Sequence, residues 1–218
     1  MKVLAINGGA QKNRNTAKML QSALDGAAEA GASGETVHLY DLNYKGCIGC
    51  HACKLKGGSS FGRCVQKDGL TEVLEKAINA DVLLLASPMY FNDVTGALRS
   101  FMERLFFPAI TYNKERTPLY PHPIKAGWLF TMNAPGEFYD TFFKGIINSS
   151  NWILGPSEYT IAYGTKQFED YSKYEADMFD VPAVTKRHEE QFPKDCEAAR
   201  EMGKRLAANN DLYIGGNI

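Results

Sequence analysis

The stretch "DVLLLASPMYFNDVTGALRSFMER" (81–104) decides how this chain folds. Residues 81–88 form a continuous apolar run, the mark of a strand buried on both faces in a parallel sheet covered by helices. Pro88 stiffens the exit. Tyr90 and Phe91 place two large aromatics at the strand end, where a planar ligand would be stacked or where a core would take them. Asn92, Asp93 and Thr95 offer polar groups before "GALRSFMERLFF" (96–107), which reads as a helix starting near Gly96.

The same pattern extends in both directions. "KVLAIN" (2–7) is a short strand. It is followed by a helix at 16–32, in which Met19, Leu20, Ala23, Leu24 and Ala27 share one face. Strands are expected at 35–42, 125–134 and 157–164, and helices at 69–80, 138–152 and 192–210. Strand and helix alternate five times, which argues for a parallel sheet with helices on both faces. Residues 1–218 read as one domain with two excursions. At 106–124, Pro108, Pro118, Pro121 and Pro123 break any regular reading; 165–187 is aromatic and acidic. Segments this long are usually functional or contact a partner.

Composition narrows the field. A formal net charge of −1 and a pI of about 6.4 give no nucleic-acid or membrane-surface footprint. No apolar run approaches the ~18 residues of a membrane span, and the N-terminus lacks a leader's long apolar stretch, so a cytoplasmic location is expected.

In open α/β sheets ligands bind beyond the carboxyl ends of the strands. The first such loop is "NGGAQKNRNTAKM" (7–19). Gly8 and Gly9 permit a tight turn, Lys12 and Arg14 add charge, and Asn15 and Thr16 stand where a helix begins. That combination makes an anion site, although an ordinary turn capped by Asn15 or Thr16 fits the spacing equally. Neither the P-loop nor the dinucleotide fingerprint is present. "TMNAPGEF" (131–138) is a third loop, small and polar after a strand.

These loops together resemble the flavodoxin-like NAD(P)H-dependent FMN reductase family. The agreement lies chiefly at Pro88, Tyr90, Gly96, Phe101, Glu103 and Arg104, and "FPKDCEAAREMGKRLA" is similar to that family's last helix. The resemblance implies a flavodoxin-like α/β fold with a five-stranded parallel sheet in the order 2-1-3-4-5. It implies that Gly9, Gln11, Asn15 and Thr16 hold the FMN phosphate. Pro88, Met89, Tyr90 and Phe91 would flank the ribityl chain and ring, and Asn133 would close the ring's other edge. This chain has Gly9-Ala10-Gln11 where the family usually has Ser-Pro-Arg, and Lys12 or Arg14 is expected to replace the missing charge.

Four of the five cysteines fall within "CIGCHACKLKGGSSFGRC" (47–64). Cys47, Cys50 and Cys53 have ferredoxin spacing, with Cys64 the candidate fourth ligand. An iron–sulfur flavoprotein subgroup of the family carries a compact cysteine motif in this place, which implies a possible 4Fe–4S cluster. The residues alone leave other readings open: one face of a short helix bearing buried thiols, a zinc site, or a thiol–disulfide relay.

Two functions follow as expectations. One is a flavoprotein oxidoreductase taking hydride from NAD(P)H and passing electrons to a quinone, a flavin or another small acceptor, with no side chain acting as acid or base. The other is an iron–sulfur flavoprotein carrier fed by ferredoxin. The aromatic residues of both excursions, and the habits of the family it resembles, point to a homodimer or tetramer with those segments at the interface and near the flavin; the alternative is that both fold back onto their own domain and cover its sheet ends.

Overall fold

The computed structural model describes residues 1–134 and 140–208. Five strands, β1 (Lys2–Asn7), β2 (Ser33–His38), β3 (Val82–Pro88), β4 (Lys125–Thr131) and β5 (Ser157–Ala162), pair in parallel in the order β2-β1-β3-β4-β5. Five helices accompany them: α1 (Asn15–Glu29), α2 (Thr71–Ile78), α3 (Gly96–Ala109), α4 (Asp140–Ile153) and α5 (Val181–Ala207). The architecture is flavodoxin-like, as the sequence leads one to expect.

The period of two along the central strands builds two cores. Leu83, Leu85, Trp128 and Phe130 point to one face, against Val73, Leu98, Phe101 and Phe143 of α2, α3 and α4. Val82, Leu84, Ala86 and Leu129 point to the other, against Met19, Leu20, Met202 and Leu206 of α1 and α5. The two helices cross closely at small residues: a Cβ on Gly203 would stand 1.8 Å from the Ala23 carbonyl oxygen. From β1 the chain first builds outward to β2, then crosses back to β3 on the other side. That reversal leaves a crevice above the carboxyl ends of β1 and β3.

Several boundaries differ from expectation. The strand expected at 35–42 ends at His38, which pairs with Asn7, the last residue of β1; a 3-10 turn then carries Leu39 into the core. Pro108 does not break α3 but sits in its last turn, where Lys54 Nζ bonds the carbonyls of Phe107, Pro108 and Ile110. The last helix starts at Val181, because Asp180 caps it by accepting from the Ala183 N–H at 3.1 Å and Pro182 suits its first turn. Residues 181–187, the end of the second excursion, are therefore ordered by that helix. The strand expected to reach 134 stops at Thr131. Residues 138 and 139 of the expected fourth helix, and 209 and 210 of the last, lie outside the described residues.

Candidate functional site

Above the crevice lies a cleft of about 900 Å³. Its wall combines Gly9, Gln11, Arg14, Asn15 and Thr16 of the first loop with Pro88, Met89, Tyr90 and Phe91 after β3. Thr131, Met132 and Asn133 after β4 and residues 165–169 complete it. Lys12, the remaining candidate of the first loop, does not line the cleft; its Nζ pairs with Asp41 at 2.6 Å. Arg14 does line the cleft, and its guanidinium is held by Glu169.

The first loop is shaped from below. Asn7 is fully buried, and its Oδ1 accepts from the Gly9 N–H at 2.8 Å. With Oδ1 so used, the Asn7 amide donates through Nδ2 to His38 Nδ1 at 3.0 Å. A Cβ on Gly9 would lie 3.1 Å from Asn7 Oδ1 and 3.2 Å from Thr16 Cβ, so the turn packs tightly on the start of α1. Neither Asn15 nor Thr16 caps that helix: the cap position is Arg14, which makes no side-chain cap bond, and the first turn holds no acid. Its leading N–H groups lack side-chain caps and carry the positive end of the helix dipole, the chemistry an anion needs. The Thr16 hydroxyl is buried and bonded to that of Thr131 at 2.7 Å.

The second loop is bolted to the first. Thr95 caps α3, accepting from the Leu98 N–H at 3.2 Å, and donates its hydroxyl to the Gly8 carbonyl at 2.7 Å. The third comes to the cleft through Asn133, whose Nδ2 donates to Gln167 Oε1 at 2.6 Å.

Sequence reasoning singled out 165–187 as an excursion near the flavin but named none of residues 165–169 as site residues; they line the cleft. Asn15 Nδ2 donates to the Lys166 carbonyl at 3.0 Å, and the Asn133–Gln167 and Arg14–Glu169 contacts add two more ties across the cleft. Behind the segment, Phe168 stacks on Tyr174 with centroids 4.1 Å apart, and Tyr171 and Phe179 close an aromatic cluster. The first excursion also turns inward: Phe106 is buried and the Tyr120 hydroxyl bonds the Leu105 carbonyl. Much of the aromatic surface expected at an interface thus packs on its own chain. Tyr112, Tyr174 and Met178 remain exposed.

The cysteine run forms no continuous helix, which removes the reading of three thiols along one helical face. Gly49 and His51 have positive φ of 66° and 56°, and only Ala52–Lys54 makes a 3-10 turn. Cys47 and Cys50 are exposed, Cys53 is buried and Cys64 lies between. All four nonetheless line one small cavity of about 20 Å³ with Glu103, Arg104 and Phe107. Burial pushes the Cys53 thiol up, against the pull of Lys54. Arg104 anchors the run: its buried guanidinium donates to Cys64 Sγ at 3.3 Å, to the Lys45 carbonyl at 3.1 Å and to the Gln66 carbonyl at 3.2 Å, and pairs with Asp68 at 2.5 Å. No three His, Cys, Asp or Glu side chains among the described residues converge on a point where one metal ion would sit. The donor set suits an iron–sulfur cluster, which spreads its ligands wider than a zinc ion does, but the cavity as it stands is too small. The exposed stretch bearing Cys47 and Cys50 would have to open to admit one.

No helix among the described residues is long and apolar enough to cross a membrane. Residues 1–124 match the family model described as NADPH-dependent FMN reductase. An iron-sulfur flavoprotein of Archaeoglobus fulgidus is 41% identical over 104 residues, 48% of this chain and 48% of that one. One of Methanocaldococcus jannaschii is 36% identical over 104 residues, 48% of this chain and 51% of that one. Each match thus spans about half the length of the curated relative. Among solved structures, an NAD(P)H:quinone oxidoreductase from Methanothermobacter marburgensis superposes with a TM-score of 0.64 at 17% identity, covering 96% of this chain and 97% of that one. A Bacillus anthracis azoreductase gives 0.64 at 15%, covering 94% and 99%. These last two agree with this chain in fold.

Proposed function

The chain belongs to the NADPH-dependent FMN reductase family, and from that premise we propose that it is a single-domain FMN-dependent oxidoreductase working with NAD(P)H and a small acceptor such as a quinone or a flavin. The observation that carries this reading is the cleft, where three strand-end loops meet uncapped N–H groups of α1. Bound FMN would supply hydride acceptance from NAD(P)H and electron delivery to the acceptor. The residues of the chain bind and orient. Gly9, Gln11, Asn15 and Thr16 would hold the phosphate, and Arg14 would supply the charge that Gln11 lacks. Pro88, Met89 and Tyr90 would flank the ribityl chain and ring, and Asn133 would close the far edge. The ties from Asn15, Asn133 and Arg14 to residues 166–169 would narrow the mouth and keep water from the ring.

The two cations make different predictions. Arg14→Ala should weaken FMN binding about 10- to 100-fold, the scale of a charge-assisted hydrogen bond. Lys12→Ala removes a pair outside the cleft and should change it less than about fivefold, as exposed ion pairs do. Fluorescence titration of apoprotein with FMN measures both, and equal losses would reject this assignment of charge.

The names of the curated relatives, and the four cysteines on one cavity wall, favour a second reading: an electron carrier holding a cluster at Cys47, Cys50, Cys53 and Cys64 and accepting electrons from ferredoxin. Anaerobic reconstitution with iron and sulfide decides it. About four irons per chain, lost in a Cys64→Ser variant, would support the cluster; no bound iron would reject it. Assembly is the remaining part of the proposal, with exposed Tyr112, Tyr174 and Met178 at the contact of a homodimer or tetramer. Light scattering should then give a multiple of 24.1 kDa, and a mass of one chain would refute it.

A further inference from the structure

The side chain of Phe91 stands fully exposed, at 102%, on the rim of an otherwise well-packed cleft. The backbone holds it there against its own preference. Phe91 and Asn92 have φ of +51° and +63°, the left-handed region. They close a two-residue turn in which the Tyr90 N–H donates to the Asp93 carbonyl at 2.8 Å and the Asp93 N–H to the Tyr90 carbonyl at 3.0 Å. Turns with two positive φ values favour Asn, Asp or Gly, then Gly. Asn92 tolerates the left-handed region; a bulky residue such as phenylalanine does so only under strain. The base is fixed as well, since Asp93 Oδ1 accepts from the Val94 N–H at 2.7 Å and pairs with Arg99. A chain that needed only the turn would be served better by glycine or asparagine at position 91. The cleft, at about 900 Å³, also lies near the top of the range for small-molecule sites. It leaves room for a second flat ring beside one flavin.

We propose that Phe91 is the stacking wall for that second ring, the conjugated ring of the incoming electron donor or acceptor, and that its side chain is no wall of the flavin site itself. The inference rests on the FMN reading above and names the substrate-contacting residue within it. An exposed aromatic held rigidly at a rim offers a flat ring a face at little entropic cost.

The test uses the FMN-loaded protein and its Phe91→Ala, Phe91→Gly and Phe91→Trp variants. Three quantities are read: the FMN dissociation constant, KM for NADPH, and the menadione concentration that half-saturates reoxidation of dithionite-reduced protein. The last needs no NAD(P)H. Loss of one stacking face should raise KM for NADPH or the menadione value about 5- to 100-fold in the Ala and Gly variants, with Trp restoring it. The FMN constant should move by less than about threefold, the ring face lost being the second ligand's. Phe91→Gly should also raise the thermal midpoint of the apoprotein by about 2–4 °C by releasing the strained φ. The two ring arms tell donor from acceptor. The proposal is overturned if neither value moves in Phe91→Ala, or if FMN binding weakens as much as they do. A wild-type protein that neither NADPH nor NADH reduces sinks the reductase reading while the menadione arm still decides Phe91; a chain that binds no FMN overturns both.

Discussion

Replacing Arg104 with methionine should cost about 3–5 kcal/mol of folding stability, the penalty for leaving the partners of a buried charge behind. For a chain of this length that is a fall of roughly 6–20 °C in thermal midpoint. The guanidinium is wholly buried, and its loss takes a donor at once from the Lys45 and Gln66 carbonyls, Asp68 and Cys64 Sγ. The damage should concentrate in residues 45–68, which hydrogen exchange would show as early opening there while β1, β3 and β4 stay protected. The change has a pH signature. Burial alone would raise the Asp68 carboxyl, but the hydrogen bonds from Arg104 and the Leu70 N–H outweigh it and hold it below the usual carboxylate range. A carboxyl lowered in the folded state contributes stability that is fully present above about pH 4 and lost as pH falls through the folded value. Arg104→Met should therefore flatten acid unfolding below pH ~4 relative to wild type. A variant within about 1 kcal/mol of wild type would contradict the anchor role.

Thr16→Glu should abolish flavin retention. The residue is buried at the start of α1, where the phosphate is proposed to sit. A carboxylate about 4 Å from a phosphate at an effective dielectric of ~20 costs about 4 kcal/mol per unit charge, close to a thousandfold in affinity. Thr16→Val separates charge from packing. It keeps the shape and removes the hydroxyl, with its bond to Thr131 and its proposed contact to the phosphate, so it should weaken FMN by no more than about tenfold. Equilibrium titration of folded apoprotein reads both, and undiminished binding by Thr16→Glu would place the phosphate elsewhere.

The sheet was legible because its signals are local. The apolar run of β3 fixes a doubly covered central strand, and the alternation on either side of it fixes parallel crossings. The first and second loops could be read for the same reason: Gly9, Thr16, Pro88 and Tyr90 lie at strand ends that periodicity locates. The segment 165–187 was expected near the flavin, but the contacts of residues 165–169 were not legible. "TKQFE" carries no phase, and its place over the cleft depends on Asn15 and Asn133, far away in sequence. The start of the last helix was available in the Asp180-Val181-Pro182 triplet, a cap followed by a first-turn proline. The role of Arg104 was not, because a charged residue on a helix reads as solvated until Asp68 and Cys64 arrive from 36 and 40 residues away. The cysteine run left several readings open, because its period of three suits a helix face as well as a ligand set; positive φ at Gly49 and His51 breaks the helix.

The most direct measurement is the visible spectrum of the FMN-loaded protein as NADPH, then NADH, is added without oxygen. Loss of the flavin band with at least one of the two, and its return on adding menadione, is the result this account predicts. A flavin band that both nucleotides leave intact while dithionite removes it, or a chain that retains no flavin at all, would contradict it.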